Sequence, residues 1–278
     1  MQDRIPNSPE FRRLVQADEH ADLTTIAIEI ARDAYPKIDQ TAIQAMLDRW
    51  AARVRDRCPD GAGVRQILAQ INRVLFEEER FQGNTADYED PRNSYINQVI
   101  DRRLGIPISL SVIYLAIADR IGLAMAGVNL PYHFIIRTIT QGTVLFVDPF
   151  HQGALLDRNA CAQRVAAIAG QPVELHHNHF SPATTSTIVA RILRNLKAIY
   201  WKQSRFQESL PVLRRLLALA PNNANERFEL GSACLRAHRP AEALDYLESY
   251  RDSHPNDSKI PEVEALIKSA RRLLANLN

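Results

Sequence analysis

The chain has 278 residues, of which 46% are hydrophobic, enough to bury the core of one large or two ordinary globular domains. Its 34 basic and 32 acidic residues give a net charge of +2, which argues against nucleic-acid binding and membrane-surface binding. Neither a membrane span nor a secretory signal is predicted, because no long apolar run exists and the N-terminus is polar. We therefore expect a cytoplasmic protein.

The first 80 residues predict helices. Ser8 followed by Pro9 is typical of a helix start, and apolar side chains recur at helical spacing over residues 40–57 and 64–77. No cluster of polar side chains accompanies these stripes, so we interpret them as core. The cysteines are far apart and are expected to be reduced thiols: Cys58, Cys161 and Cys234.

Residues 80–105 are polar, aromatic and rich in turn formers. A short helix is expected from about Asn93 to Arg102. The segment is either a solvated connector or one wall of a pocket, and its many specific polar groups keep the second interpretation open.

A buried helix is predicted between Asp101 and Gly122, because the apolar side chains there leave no broad polar face. Gly105 and Pro107 stand at its start, and proline is tolerated in a first helical turn. Gly122 stands where a C-terminal glycine is common. We expect this helix to be the centre of the domain.

The hydrophobic period then changes from that of a helix to that of strands. Gln141-Gly142 is a plausible hairpin turn, a helix is expected at residues 157–168, and 172–175 is a possible edge strand. A helix followed by antiparallel strands indicates an α+β layer. The main strands are predicted at residues 124–129, 132–139 and 143–148.

The C-terminal part repeats. Pro221 and Pro255 lie 34 residues apart, which is the tetratricopeptide period. The second copy fits well, whereas the first carries Lys197 where the second has Gly231. A final helix over 258–276 is expected to cap the array.

Three features of the chain point to one site. If the last two strands pair as a hairpin, His133 and Asp148 are near neighbours, and a carboxylate fixes the tautomer of an imidazole. The start of the central helix would lower the pKa of a thiol placed there. This chain order is that of a transglutaminase-like Cys–His–Asp site.

Three segments carry a resemblance to a known family: PRNSYINQVIDRRLGIPISLSVIYLAIADRIGL, LPYHFIIR and FVDPFHQG. They resemble the SirB1 family of bacterial proteins, which combine a transglutaminase-like domain with C-terminal tetratricopeptide repeats. The resemblance covers about residues 20–275. It implies a papain-like α+β core, and it implies no particular reaction.

The sequence therefore predicts an α+β fold with two domains. Residues 1–180 form a SirB1-type transglutaminase-like domain, with a helical subdomain at 1–80 and a core at 81–180. The core combines the central buried helix with a small antiparallel sheet. Residues 184–278 form an all-α, tetratricopeptide-like repeat region with a capping helix.

The site departs from active transglutaminases at the nucleophile, because Pro107 occupies the cysteine position. Ser109 lies about 200° around the helix from that position. Ser111 shares the face but lies roughly 6 Å further along the axis, at about 1.5 Å per residue. A mid-helix serine usually bonds back to a carbonyl one turn earlier, so neither serine is an obvious substitute.

We therefore predict a degenerate triad of Pro107, His133 and Asp148 in a pseudoenzyme that binds a protein or peptide. Binding would use the former active-site cleft, the repeats, or both. Arginine in such a cleft suits a carboxylate. The residues expected to line the pocket are Asn93, Arg102, Arg103, Gly105, Ser109, Ser111 and Tyr114.

Two alternatives stay open. One is a hydrolase or amidase that uses His133 and Asp148 with a serine or an activated water. The other is a structural or regulatory scaffold without a ligand. No cofactor is expected, and no metal site is expected because the histidines of LHHNHF lack a completing ligand set. Those histidines are His176, His177 and His179.

Overall fold

The structure is a computed structural model that describes residues 8–139, 142 and 144–276. The chain divides into two compact units, with the division between Ile192 and Leu193 and with Ser8 grouped with the second unit. Helices dominate both units, and the first also contains a small antiparallel sheet, which confirms the predicted α+β class. No helix within the described ranges is both long enough and apolar enough to cross a membrane.

Two of the first four helices have an aspartate at the N-cap. Asp22 accepts a hydrogen bond from the backbone N–H of Thr25, and Asp39 does the same for Ala42. The fourth helix continues as a π-helix over Arg73–Glu78. The bounds are α1 (Pro9–Val15), α2 (Leu23–Arg32), α3 (Gln40–Arg55) and α4 (Val64–Asn72).

The central helix α6 (Pro107–Arg120) follows a short helix, α5 (Ile96–Arg102). Nearly every residue of α6 is buried, as its lack of a polar face predicts. The chain leaves α6 through Gly122, whose φ of +73° suits a residue without a side chain. The buried helix predicted from the sequence is therefore confirmed.

Four antiparallel strands follow α6 and form one sheet. Their order across the sheet is the same as their order along the chain. α6 packs against the first two. Helix α7 (Arg158–Ala169) covers an apolar cluster that includes Val128, Ile135 and Phe146. Two further strands, β1 (Gln82–Gly83) and β2 (Leu104–Gly105), form a parallel pair. The four-stranded sheet consists of β3 (Met125–Val128), β4 (Ile135–Thr138), β5 (Phe146–Asp148) and β6 (Ala154–Leu156).

The edge strand predicted at residues 172–175 is wrong, because this segment has no strand structure. The free edge of β5 is occupied instead by β6, which pairs through Val147 and Leu155. Val173 and Leu175 pack as half-buried side chains against the apolar cluster. The turn predicted at Gln141-Gly142 lies partly outside the described residues, because these do not include Gln141.

The second unit is entirely helical. α10 packs against α9 and α11, and α11 packs against α12. A Cβ atom at Gly231 would lie 2.8 Å from Leu247 Cγ, so this position of the repeat requires glycine. At the matching place in the first repeat, Lys197 Nζ lies 2.6 Å from Glu229 Oε2. The division between the units falls within α8 (Thr185–Lys202). The helices after it are α9 (Phe206–Leu219), α10 (Ala224–Arg236), α11 (Pro240–Ser253) and α12 (Ile260–Ala275).

Candidate functional site

The pairing of β4 with β5 brings His133 and Asp148 together. His133 lies in the turn just before β4, and Asp148 ends β5. His133 Nε2 is 2.9 Å from Asp148 Oδ2, and the two side chains are 1% and 0% exposed. The hairpin therefore produces the contact that the sequence predicts. The residue before this histidine, Tyr132, has a φ of +60°, so the turn is backbone-strained beside the site.

Asp148 accepts hydrogen bonds from several donors. Besides His133, His151 Nδ1 lies 2.8 Å from Oδ2, and the Phe150 backbone N–H donates to Oδ1 at 3.2 Å. Burial opposes the charge of the Asp148 carboxylate, but the hydrogen bonds and charges of the two histidines outweigh burial and hold its pKa below the ordinary value. Asp148 is therefore ionised, and its carboxylate is hydrogen-bonded to two imidazoles.

His151 was missed by sequence reasoning. It is the third residue of a short 3-10 turn, Pro149–His151, that begins directly after Asp148. A proline following an aspartate predicts a turn, and a turn brings residues three apart together. That signal was present in the DPFH segment. The His151 side chain is 37% exposed and so forms the solvent side of the cluster.

The second ring nitrogen of His133, Nδ1, is buried and neither donates nor accepts a hydrogen bond among the described residues. The Phe150 ring packs edge-on to the imidazole, with centroids 6.3 Å apart. Phe150 can approach because residue 83 is glycine, where an added Cβ would lie 2.5 Å from the ring. Tyr88 packs against the same ring.

The start of α6 offers no nucleophile. Pro107 is its first residue. Ser109 Oγ accepts the Ile106 backbone N–H at 3.0 Å and donates to the Asn93 carbonyl at 2.6 Å. Ser111 Oγ donates to the Pro107 carbonyl at 2.7 Å, one turn earlier. The back-bonding expected of a mid-helix serine is confirmed at Ser111, and neither hydroxyl is hydrogen-bonded to the imidazole.

The polar residues predicted to line the pocket mostly form hydrogen bonds or ion pairs with nearby groups of the protein. The Asn93 amide donates to the Asp87 carbonyl at 2.7 Å. The Arg102 guanidinium lies 3.1 Å from Asp90, and that of Arg103 lies 2.8 Å from Glu79. The two arginines therefore neutralise different carboxylates. Their common role in lining a pocket stays a prediction.

Tyr114 and Gly105 have structural surroundings. The Tyr114 hydroxyl donates to Asn72 Oδ1 at 3.1 Å, and the Asn72 amide donates to the Gly153 carbonyl at 3.0 Å. This chain of bonds ties α6 and α4 to the turn that follows Asp148. A Cβ at Gly105 would lie 2.8 Å from Ser109 Oγ, so glycine makes room for the serine cap.

The three cysteines are free thiols, as the sequence predicts. Cys161 on α7 is buried. Burial and the negative charge of Asp148 raise the pKa of this thiol to about 12. At neutral pH Cys161 is therefore protonated and is a poor nucleophile.

One group of described residues has the donor atoms of a metal site: His133, Asp148 and His151, whose atoms lie within 4.8 Å of one another. Two imidazoles and a carboxylate suit Zn²⁺ or Fe²⁺ by type. However, the Arg164 guanidinium lies 3.8 Å from the same Asp148 oxygen and already supplies a positive charge. Metal-bound histidines also normally donate their second N–H, and Nδ1 of His133 has no acceptor in the part of the chain that the structure describes. The group therefore fits a metal ion poorly.

The Asp148 network gives an expected pH dependence. The pKa of Asp148 is lower in the folded state than its ordinary value of 3.8. The ionised carboxylate therefore stabilises the fold fully at pH values above 3.8, and this contribution is lost as the pH falls through the folded-state pKa. We expect Asp148→Asn to flatten the rise in unfolding free energy that wild type shows as pH increases towards about 4. Urea titrations of both proteins across this range measure the difference. Parallel curves would contradict the assignment.

Comparisons with known proteins agree with this geometry. Residues 41–194 match the transglutaminase-like superfamily, and residues 196–268 match the tetratricopeptide repeat. A UPF0162 protein of Xylella fastidiosa (strain 9a5c) is 35% identical over 86% of this chain and 88% of its own length. A UPF0162 protein of Vibrio cholerae is 25% identical over 66% of this chain and 68% of its own length.

A eukaryotic relative shares part of the chain. F-box only protein 21 of Homo sapiens is 32% identical over 162 residues, which are 55% of this chain and 25% of that protein. No solved structure matches the chain.

Proposed function

Since the chain belongs to the UPF0162 family, a SirB1-like family with a transglutaminase-like domain followed by tetratricopeptide repeats, we propose that it binds a protein or peptide partner without catalysis. The observation that carries the proposal is the start of α6. Pro107 stands there in place of a nucleophile, and the hydroxyls of Ser109 and Ser111 are engaged by backbone groups.

The state of His133 supports the same conclusion. A catalytic imidazole needs a nucleophile within hydrogen-bond distance and a route for substrate. Nδ1 of His133 has neither a hydroxyl nor a thiol partner among the described residues, and Phe150 packs against the ring. These contacts speak against the alternative of a serine hydrolase or amidase. The dyad instead holds two strands together.

A surface of the second unit supports partner binding through the repeats. The exposed Arg236 guanidinium lies 5.0 Å from the Phe206 ring centroid and 5.6 Å from that of Trp201. No carboxylate pairs with Arg236 among the described residues. Tryptophan and arginine are the residues most enriched at binding hot spots, and stacking on rings fixes the guanidinium in one orientation. We call this group the Trp201–Arg236 cluster.

The test uses the intact protein, immobilised and exposed to an extract of the cells that produce it. We expect at least one protein to be retained specifically, and Arg236→Glu to weaken its binding about tenfold, which is about 1.4 kcal/mol. The matched control is Arg251→Glu, a charge reversal of an arginine that pairs only with its neighbour Asp252 in the described structure. Quantitative mass spectrometry of the retained proteins gives the readout.

The absence of any specifically retained protein would remove the support for partner binding. Equal losses in the Arg236 and Arg251 variants would exclude the Trp201–Arg236 cluster as the binding surface.

A further inference from the structure

The four-stranded sheet of the first unit has an open edge at β3. This strand is the first across the sheet, so one of its sides pairs with β4 and the other side is an edge. The Ala183 N–H donates to the Gly127 carbonyl at 2.8 Å and covers the edge at that point. Two residues after Ala183 the chain enters α8 at Thr185. The edge beside Met125 is therefore left without a neighbouring strand among the residues that the structure describes.

The backbone of Met125 faces this open side. The Ile139 N–H, on the β4 side, donates to the Ala124 carbonyl, whereas Gly127 is bonded to Ala183 on the outer side. Successive residues of a strand direct their backbone groups to opposite sides, so those of Met125 point outwards, as those of Gly127 do. In the described structure the Met125 N–H and C=O form no hydrogen bond. Unpaired strand groups of this kind can bind an extended segment of another protein.

A pocket of about 420 Å³ lies beside this edge, and its volume is within the range of ligand sites. It is bounded by β3, by the end of α6 and by the starts of α2 and α8. A Cβ at Gly127 would lie 3.1 Å from Ile188 on α8, and the Met125 side chain is on the same face of β3. A partner residue opposite Met125 would therefore direct its side chain into the pocket. The large apolar side chains of the lining are Leu23, Leu115, Leu123, Met125 and Ile188.

The fixed charges of this pocket are all negative. Its lining includes the carboxylates of Glu19, Asp22 and Asp119, and it includes no lysine or arginine. Asp22 is occupied as the N-cap of α2, where it accepts the Thr25 N–H. Glu19 and Asp119 are exposed, and neither forms an ion pair within the described part of the chain. His20 is the remaining titratable residue of the lining. The pocket therefore favours a positively charged group.

Asp119 occupies a position that is unfavourable for a carboxylate. It lies in the last turn of α6, which ends at Arg120, and the negative end of the helix macrodipole repels a negative charge there. The contribution of Asp119 to folding is therefore small or adverse. A binding role explains its charge better than a structural role does.

The apolar walls and the acidic rim together define the side chain that fits. An aliphatic stem that ends in a cation suits both, and this is the chemistry of lysine and arginine. We propose that the open edge of β3 binds an extended segment of the partner. The backbone of this segment pairs with the Met125 N–H and C=O, and its basic side chain enters the pocket towards Glu19 and Asp119.

A second copy of this chain fits the edge less well. Pairing two β3 edges would bring two acidic rims together, and like charges across paired strands are destabilising. The proposal rests on the proposed function for its kind of partner, and it adds a second surface to the Trp201–Arg236 cluster.

The direct probe is acetyl-alanyl-lysyl-alanine N-methylamide, a capped peptide with one basic side chain. We expect a saturable shift of the Met125 amide signal in nitrogen-15 correlation spectra of the full chain. Three comparator peptides separate the contributions. Norleucine in place of lysine keeps the stem without the charge, glutamate reverses the charge, and a methyl group on the lysine nitrogen removes the backbone donor. Each is expected to bind at least about tenfold more weakly, a difference of about 1.4 kcal/mol.

Variants separate the charge from the fold. Asp119→Asn is expected to weaken binding of the lysine peptide about tenfold, to leave the norleucine peptide unchanged, and not to lower Tm, because it removes an unfavourable charge at a helix end. Glu19→Gln is expected to weaken binding in the same direction. The matched control is Glu264→Gln, which neutralises an exposed carboxylate of α12 without an ion pair among the described residues. It should change neither binding nor Tm.

Three results would overturn the proposal: no saturable shift of the Met125 amide with the lysine peptide, equal binding of any comparator peptide, or unchanged binding in Asp119→Asn. A Met125 amide that shifts with protein concentration alone would assign the edge to a second copy and would overturn it as well. The peptide titration does not depend on the retained partner, so failure of this proposal and failure of the proposed function can be told apart.

Discussion

Asp148→Ala is expected to lower the free energy of unfolding by about 3–5 kcal/mol, the range for removing one member of a buried charged pair. The carboxylate is fully buried and holds both His133 and His151. Without it, neither nitrogen of the His133 imidazole has a hydrogen-bond partner among the residues that the structure describes, and Arg164 loses the carboxylate 3.8 Å away. Urea unfolding monitored by circular dichroism at neutral pH measures the change.

The matched control is Asp48→Ala. Asp48 also pairs with an arginine, Arg120, at 2.7 Å, but its side chain is 66% exposed. Exposed pairs contribute about 0–1 kcal/mol, so the loss should be small. A loss for Asp148→Ala no larger than that for Asp48→Ala would contradict the buried network.

Gly153→Ala is expected to destabilise the protein by about 2–4 kcal/mol, which combines backbone strain with a steric clash. Gly153 has a φ of +74°, and an added Cβ would lie 2.0 Å from Asn72 Oδ1. Asn72 cannot move aside freely, because it bonds to both Tyr114 and the Gly153 carbonyl. Thermal and urea unfolding measure the loss.

Gly170→Ala separates the two costs, because Gly170 has a φ of +70° but nothing within 4 Å of an added Cβ. We expect it to lose only the backbone part, about 1–2 kcal/mol. In an Asn72→Ala background the penalty of Gly153→Ala should fall to the same level. An unchanged penalty there would rule out the clash with Asn72.

The features predicted well from sequence are those set by local pattern. The apolar run of α6 has no polar face to expose, so its burial follows from the residues alone. The contact between His133 and Asp148 follows from pairing consecutive strands. The serine contacts follow from helix geometry, since Ser111 can reach the carbonyl of Pro107 four residues earlier.

The features missed depend on contacts distant in sequence or on turns. The strand β6 was not predicted, because Ala154–Leu156 is only three residues long and is formed by pairing with β5. Arg102 and Arg103 are adjacent, yet Arg103 has a φ of +58°, and this left-handed residue sends the two side chains to different carboxylates. The spacing of hydrophobic residues along the chain cannot show that two adjacent side chains point in different directions.

The hydrogen bonds of Ser109 have a consequence for anions. The first amides of a helix carry the positive end of its macrodipole, and enzymes use them to stabilise a developing oxyanion. In this chain Pro107 contributes no amide hydrogen, and the N–H of Ile106 is taken by Ser109 Oγ. The start of α6 therefore has fewer free N–H groups with which to stabilise the negative charge of a tetrahedral intermediate, because one of them holds the serine that caps the helix.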